Sequence, residues 1–125
     1  MDGLVVCLDL DGVMNDFDGW RGADYFHPPR PGLLEFVREL RALGYVIVVH
    51  TVRWAPHVWE WIRKYSLDAY ISDVTNLKIP AHVYIDDRAI CFRGDFDETL
   101  ERVKSFRAHW EESHKGDENK EGSKV

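Results

Sequence analysis

The sequence predicts an α/β fold in which helices cover both faces of a parallel β-sheet. Short apolar runs rich in β-branched residues, LVVCL at 4–8 and YVIVV at 45–49, have the pattern of strands buried on both faces. Amphipathic segments of helical period separate them, and this alternation is typical of β-α-β units. With 125 residues and 45% apolar composition, the chain can bury a core, and we expect a single domain over 1–112.

Spacing and end signals predict two helices in the first half of the chain. Pro31 suits the first turn of a helix and Gly44 suits its C-terminal end. The apolar residues between them recur at i, i+3, i+4 and i+7: Leu33, Phe36, Val37, Leu40 and Leu43. The second helix is expected over 55–65, with Pro56 in its first turn. Its apolar face is formed by Val58, Trp61, Ile62 and Tyr65.

The second half predicts shorter strands and one further helix. Strands are expected at 69–71, 82–85 and 89–92, and the helix at 97–112. The side chains expected to face inward from this helix are Phe96, Leu100, Val103, Phe106 and Trp110. The polar tail, 113–125, has no apolar periodicity and is predicted to be disordered.

Composition and charge exclude several classes of protein. No stretch approaches the roughly 20 apolar residues of a membrane span, and the N-terminus has no signal-peptide pattern. Cys7 and Cys91 lie in apolar surroundings and are expected to be buried free thiols, which suits a reducing cytoplasm. The net charge of −6 argues against sequence-independent binding to long nucleic acids.

A long loop, 14–31, follows the first strand and is called the flap here. It is rich in Gly, Pro and Asp, but Trp20, Tyr25 and Phe26 make disorder improbable. Long loops of this kind in compact domains usually have a function. We expect the flap to fold over the end of the sheet.

Two acid pairs follow predicted strands. Asp9 and Asp11 end the first strand, before Gly12, and Asp86 and Asp87 end the strand at 82–85. The carboxyl ends of parallel strands meet at one edge, where open α/β sheets bind ligands. Crowded carboxylates repel each other unless a cation compensates, and Mg²⁺ prefers such oxygen ligands. An Asp-x-Asp-Gly sequence can also be an ordinary turn.

Further polar residues complete a set suited to phosphoryl transfer. Thr51 follows the second strand and Lys78 precedes the strand at 82–85. Together with the acid pairs they supply a nucleophile, a cation site and donors for phosphoryl oxygens. Thr51 could instead cap the next helix, and Lys78 could be solvated. Arg53 and Arg88 could be substrate clamps or salt-bridge partners of the acids.

The ordered motifs LDLDGV, VVHT, Lys78 and YIDD resemble the four sequential motifs of the haloacid dehalogenase superfamily of phosphohydrolases. The small, capless, phosphatase-like members of bacteria and phages are the most similar, and the resemblance covers 4–92. It implies a three-layer, Rossmann-like fold. The gaps in which this family inserts a cap domain are too short here, so no cap is expected. The site would then be shaped by the flap and, in a homo-oligomer, by a neighbouring subunit.

The resemblance also implies roles for individual residues. Asp9 would be the nucleophile, and Asp11 would act as general acid and then as general base, with its main-chain carbonyl on the metal. Thr51 and the amide of Val52 would hold the phosphoryl oxygens, and Lys78 would offset negative charge.

The same resemblance implies a Mg²⁺ site at the acid pairs. The ion would be held at Asp9 and Asp11 and by a carboxylate oxygen of Asp86, with Asp87 in or just outside its coordination shell.

The substrate is expected to be a small phosphorylated molecule. Trp20, Arg21 and Tyr25, with Arg53 and Trp54, could sandwich a base or a sugar, although ordinary loop packing explains them equally well. A nucleotide or the phosphorylated end of a nucleic acid is the leading hypothesis, and a sugar phosphate is the second.

Two other classes of function are compatible with this size and composition. A signalling receiver domain has a similar acid pair, Thr and Lys, but places them after different strands. A non-catalytic binding module on the same fold would not need every motif position to be retained, as it is here.

Overall fold

Residues 3–111 are described by a computed structural model, in which the chain divides into two units. The first unit reaches to Asp86, and the second begins at Asp87. The domain predicted over 1–112 spans both units and stays a prediction, and the predicted tail lies outside the described residues. No helix among residues 3–111 has the length and apolar composition needed to cross a membrane.

The first unit contains four strands and two α-helices in alternation. Strand β1 passes into a π-type turn at Leu10–Met14, and the flap then leads to α1. The elements are β1 Val5–Asp9, α1 Leu33–Ala42, β2 Val46–His50, α2 Ala55–Lys64, β3 Asp73–Thr75 and β4 Val83–Ile85.

All four strands are parallel and form one sheet in the order β3-β2-β1-β4. In its register, Asp9 pairs with His50 of β2, and Leu8 pairs with Ile85 of β4. The α/β class and the Rossmann-like parallel sheet are therefore confirmed. Between β1 and β2 lie only the turn, the flap and α1, and between β2 and β3 the only helix is α2. No cap domain is inserted in these described stretches.

One apolar core joins the sheet to α1 and α2. Alternate residues of the strands point into it, as the two-residue period of a strand requires. Right-handed connections between successive parallel strands place both helices on the same face of the sheet. The core residues are Val6, Leu8, Leu10, Met14, Leu33, Val37, Ile47, Val49, Val58, Trp61, Ile62, Leu67, Ile71 and Val74.

The helices begin and end where the sequence indicates. Gly44, just past the end of α1, has φ of +96°, and its amide donates to the Arg41 carbonyl. Only glycine adopts this left-handed conformation at no steric cost. Pro56 lies in the first turn of α2. On α1, however, Phe36 and Leu43 are exposed, so the buried face is narrower than predicted.

Two predicted strands are wrong. Residues 68–70 form a turn, in which the Tyr70 amide donates to the Leu67 carbonyl, and the third strand lies instead at Asp73–Thr75. Residues 89–92 form no strand among the described residues. The Cys91 carbonyl accepts a hydrogen bond from the Arg102 side chain. Cys7 is buried, but Cys91 is exposed, so the prediction of a second buried thiol is also wrong.

The described part of the second unit contains helix α3 at Phe96–Lys104, and residues 109–111 are again helical. The Asp95 carboxylate caps it by accepting from the amides of Asp97 and Glu98. None of its side chains is buried, and Phe96 is 81% exposed. The predicted inward face is therefore wrong, and the helix ends well before the predicted position. Local capping and helix-side ion pairs such as Glu98–Arg102 hold this short element together.

The two ends of the flap are joined to each other. An isolated antiparallel bridge pairs Asn15 with Pro29, and next to it the Asp16 amide donates to the Pro28 carbonyl. On the other side of the bridge, the Arg30 amide donates to the Met14 carbonyl. The flap is therefore a closed loop with a short neck, not an open connection.

Candidate active site at the carboxyl edge of the sheet

Asp9 and Asp86 lie together at the carboxyl ends of neighbouring strands. Asp9 is the last residue of β1, and Asp86 directly follows β4, its partner in the sheet. One carboxylate oxygen from each lies within 4.8 Å of the other. The order of the strands reverses between β1 and β4, and open α/β sheets bind their ligands at such a switch point. The fold thus brings two predicted acids to its expected binding edge.

The pKa of a neighbouring thiol is affected by the negative charge of this acid pair. Burial raises the pKa of Cys7 above its usual value, and the negative charges of Asp9 and Asp86 raise it further. Two carboxylate oxygens this close form a donor set that one hard divalent cation can share. The residues present therefore fit Mg²⁺.

Asp87 directly follows Asp86 and is the first residue of the second unit. Within that unit its carboxylate accepts a hydrogen bond from the indole Nε1 of Trp110. This partner was not anticipated from the sequence, in which Trp110 was expected to face a core. The metal-binding role of Asp87 stays a prediction.

The carboxylate of Asp11 is held by two side chains. Nε of Arg53 donates to Oδ2 at 2.7 Å, and Nη2 donates to Oδ1 at 3.2 Å. Nδ2 of Asn15 donates to Oδ1 at 3.0 Å. Between these partners the Asp11 side chain remains 20% exposed. Of the two roles that the sequence left open for Arg53, the structure shows the salt-bridge partner.

Backbone geometry turns the chain directly after the second acid of the first motif. Gly12 has φ of +92°, a conformation that favours glycine, and the chain bends there as predicted. The Gly12 amide donates to Oδ1 of Asn15 at 3.1 Å, and the amide of Phe17 donates to the same oxygen. Asn15 is fully buried and was missed by the sequence analysis. The sequence feature that could have indicated Asn15 is its position, four residues past Asp11 and directly after the turn.

Thr51 is buried just after β2 and fixes the next turn. Its Oγ1 accepts from the Arg53 amide at 3.1 Å, and its own amide donates to the Thr75 carbonyl. Helix α2 begins later, after Trp54, so Thr51 does not cap it. The side chain of Val52, next to Thr51, is exposed. The phosphate-binding roles of both residues stay predictions.

Lys78 lies on the exposed loop between β3 and β4. Its Nζ is 5.0 Å from the ring centre of Tyr84, whose hydroxyl donates to the Ile79 carbonyl. This placement gives the ammonium an aromatic partner on β4. The predicted role of Lys78 in offsetting phosphate charge stays a prediction.

The flap lies beside Asp11, with Arg53 as the link. Nη1 of Arg53 donates to the Ala23 carbonyl at 3.0 Å. Its guanidinium carbon is 4.3 Å from the ring centre of Phe26 and 4.8 Å from that of Trp20. Trp20 is nevertheless 62% exposed, so it is not a core residue.

The other aromatic and basic residues near the flap have local partners. Arg21 pairs with Asp18 at 3.1 Å and lies over the ring of Tyr25. Trp54 is 66% exposed and meets the ring of His57 edge-on.

A cavity of about 590 Å³ opens between the flap and α2. Aromatic rings and three charged side chains line it, together with one histidine: Asp24, Tyr25, Phe26, His57, Glu60, Trp61, Lys64 and Tyr65. One lining residue, Phe26, also contacts Arg53, the partner of Asp11. The mixed lining of the cavity suits a flat, polar group.

The sequence matches no known family model and no curated protein. Among solved structures it is similar to a conserved protein from Bacteroides thetaiotaomicron, with a TM-score of 0.56 and 17% identity. That match covers 88% of this chain and 97% of the other. At this identity the likeness shows the fold alone, because one fold can carry many chemistries.

Proposed function

We propose that the protein is a Mg²⁺-dependent phosphomonoesterase that works through an aspartyl-phosphate intermediate. The observation that carries this proposal is the acid pair Asp9 and Asp86 at the switch point of the sheet, with Asp11 held next to it. The resemblance of the four ordered motifs to the haloacid dehalogenase superfamily supports the same conclusion.

The proposed reaction has two balanced steps. First, a carboxylate oxygen of Asp9 attacks phosphorus and the bond from phosphorus to the leaving oxygen breaks. Asp11 gives that oxygen a proton, and for this step it must carry the proton that it takes from water in the second step of the preceding turnover. Then Asp11 takes a proton from water, and the water oxygen attacks the same phosphorus. The bond to Asp9 breaks, and inorganic phosphate leaves.

The acids at the edge of the sheet would hold the cation. Asp9 and Asp86 would supply carboxylate oxygens, and Asp11 would supply its main-chain carbonyl. The resemblance implies that Asp87 is in or just outside the coordination shell. When bound there, Mg²⁺ supplies positive charge that offsets the acid pair and the phosphoryl oxygens.

Donors at the neighbouring strand ends would hold the phosphoryl group. These would be the hydroxyl of buried Thr51 and the amide of Val52, which follow β2, the neighbour of β1 in the sheet. Lys78 would approach from the loop before β4. Such donors are effective when they are aimed at the charge that develops in the transition state.

The sheet order argues against the receiver alternative. Receivers of the CheY type have the order 2-1-3-4-5, in which the third strand lies next to the first. Here β3 lies outside β2, and β4 is the neighbour of β1. The order is instead that of the Rossmann-type sheet that the resemblance implies.

The cavity beside the flap supports a substrate with a flat polar group. Tyr25 offers an exposed ring for stacking, and Lys64 and Glu60 offer charged partners. We propose a nucleotide or the phosphorylated end of a nucleic acid as substrate, with a sugar phosphate as the second choice.

Phosphate release tests this function. The protein is incubated with an aryl phosphate and with a panel of phosphorylated nucleotides and sugars, with Mg²⁺ or with excess chelator. We expect release only with Mg²⁺ and its loss in Asp9→Asn. Asp68→Asn, at an exposed turn position, serves as the matched control. Release that survives chelation would contradict the metal site, and an inactive native chain would leave the binding-module alternative.

A further inference from the structure

One charged side chain of the first unit is buried beside the candidate site without a role in the proposed chemistry. The Arg53 side chain is only 3% exposed. Arginine is almost never buried to this extent unless it is paired. Its partners therefore indicate what it does.

The first partner is the carboxylate of Asp11, which Arg53 meets with two nitrogens. The contacts of 2.7 Å and 3.2 Å, one to each oxygen, form a bidentate pair. Bidentate pairs fix orientation as well as adding energy. Arg53 therefore sets where the oxygens of Asp11 lie, together with Asn15.

The second partner is the flap, which Arg53 meets with its third nitrogen and its planar surface. Nη1 donates to the Ala23 carbonyl, and the rings of Phe26 and Trp20 lie within 5 Å of the guanidinium carbon. The indole of Trp20 is largely exposed, so the contact with Arg53 is a substantial part of what orders it. The same guanidinium thus holds both a candidate catalytic acid and the loop beside it.

The backbone of Arg53 is held in place by hydrogen bonds at the end of β2. Its amide donates to Oγ1 of buried Thr51, and the Thr51 amide is bonded to β3. The guanidinium therefore projects from a rigid turn at the end of β2, not from a mobile loop.

We propose that Arg53 is a positioning residue that couples the flap to Asp11. All three guanidinium nitrogens are engaged, so Arg53 does not reach a substrate phosphate while the flap is in place. Opening the flap breaks the bonds of Arg53, and loss of the pair with Asp11 loosens the flap. The catalytic part of this inference rests on the proposed phosphatase function, whereas the coupling of flap and Asp11 does not.

Trypsin offers a readout of the coupling that needs no activity. Arg21 and Arg30 are the basic residues within 14–31, and Arg30 is followed by Pro31, a bond that trypsin cleaves poorly. Cleavage after Arg21 therefore reports opening of the flap. We expect the rate of this cleavage to rise roughly ten- to hundredfold in Arg53→Met, because that is the change in the opening equilibrium when a hydrogen bond to a charged group is lost. Asp11→Asn should accelerate it in the same direction, because the coupling is reciprocal.

Arg53→Lys and Arg63→Met complete the set of variants. Lysine keeps the charge but not the two-pronged fork or the planar stacking surface, so cleavage should be intermediate. Arg63 is exposed on α2, and its replacement should leave cleavage unchanged. If Arg53→Met does not fold, Arg53→Lys and Asp11→Asn carry the comparison. Unchanged cleavage after Arg21 in the folded variants would overturn the coupling.

Measurements of kcat and KM distinguish a positioning role of Arg53 from direct binding of the substrate phosphate. In Arg53→Lys, kcat should fall more for an alkyl phosphate, whose leaving oxygen needs a proton, than for p-nitrophenyl phosphate, with KM little changed. A clamp would raise KM equally for both, and that result would overturn the positioning role. If the native chain releases no phosphate at all, the proposed function fails, and the cleavage rates alone decide the coupling.

Discussion

The flap and the loop at 76–82 lie on two connections that flank the predicted chemistry, and they are built differently. The flap has a neck closed by the bridge from Asn15 to Pro29, and buried Arg53 ties it to Asp11. The loop at 76–82 is short and largely exposed, and Lys78 has the ring of Tyr84 as its described partner. The surroundings of Asp11 are therefore assembled within the chain, whereas Lys78 lies on an exposed loop.

Because of this difference in surroundings, substitutions at Asp11 and at Lys78 should have different effects on stability. Around Asp11, removing a group also removes contacts that hold the fold, so activity and stability should change together. Lys78 lies on an exposed loop and has the ring of Tyr84 as its described partner, so a substitution there should change ligand binding much more than stability. The following predictions test that division.

The largest expected effect comes from comparing Asp11→Asn with Lys78→Met. Asp11→Asn should lower kcat by roughly 10²- to 10⁴-fold, the range for a general acid–base. It should also lower the melting temperature, because the buried guanidinium of Arg53 loses its counter-charge. Lys78→Met should lower turnover as well, but change the free energy of unfolding by no more than about 0.5 kcal/mol. Thermal unfolding and phosphate release of both variants check this, and equal losses of stability would erase the distinction.

A smaller effect is expected from Mg²⁺ on thermal stability. A cation that binds only the folded arrangement of Asp9 and Asp86 stabilises it by about 2.7 kcal/mol at 100 times its Kd. The melting temperature should therefore rise with millimolar Mg²⁺ in the native chain and in Asp68→Ala. Asp86→Ala should lose this dependence, and its metal-free form should be no less stable, because repulsion with Asp9 is relieved. A native melting curve indifferent to Mg²⁺ would count against a shared site.

The smallest effect is expected from Trp20→Ala, compared with Trp54→Ala. Both side chains are more than 60% exposed, so neither replacement should approach the roughly 3–5 kcal/mol of a core tryptophan. Trp20 stacks on Arg53 in the flap, and losing that contact removes about 0.5–1 kcal/mol. Trp20→Ala should therefore reorder the preference among phosphorylated substrates while hydrolysis of a small aryl phosphate changes little. If Trp54→Ala reorders the substrates equally, the flap is not the element that selects them.

The sequence allowed correct prediction of the features that local chemistry decides. Strands β1 and β2 follow from runs of β-branched residues, and the bend after Asp11 follows from Gly12, which adopts a conformation that favours glycine. The acid pair at the sheet edge follows from the rule that parallel strands end on one side. These features need no knowledge of distant contacts.

Features that depend on distant contacts were not predictable in the same way. Strand β3 has a single buried apolar residue, Val74, and its place is set by pairing with β2. Arg53 and Asp11 are 42 positions apart, so no local pattern could choose between a salt bridge and a substrate clamp. Asn15 belongs to a polar stretch typical of loops, and only the fold shows that it is buried against the Asp11 turn.

Because the two ends of the flap are bonded to each other, the length and sequence of the segment between them can vary. Because the bridge at Asn15 and Pro29 already brings the ends together, lengthening the segment between them adds little closure entropy, about 0.6 kcal/mol for each doubling. The sheet and the acid pair do not depend on the length of that segment. Lineages or engineers could therefore exchange 16–28 for longer or shorter loops, provided that a carbonyl and an aromatic ring still meet Arg53 and that a carbonyl still accepts from the buried indole of Trp61. Selectivity could then diversify while the acid edge stays unchanged.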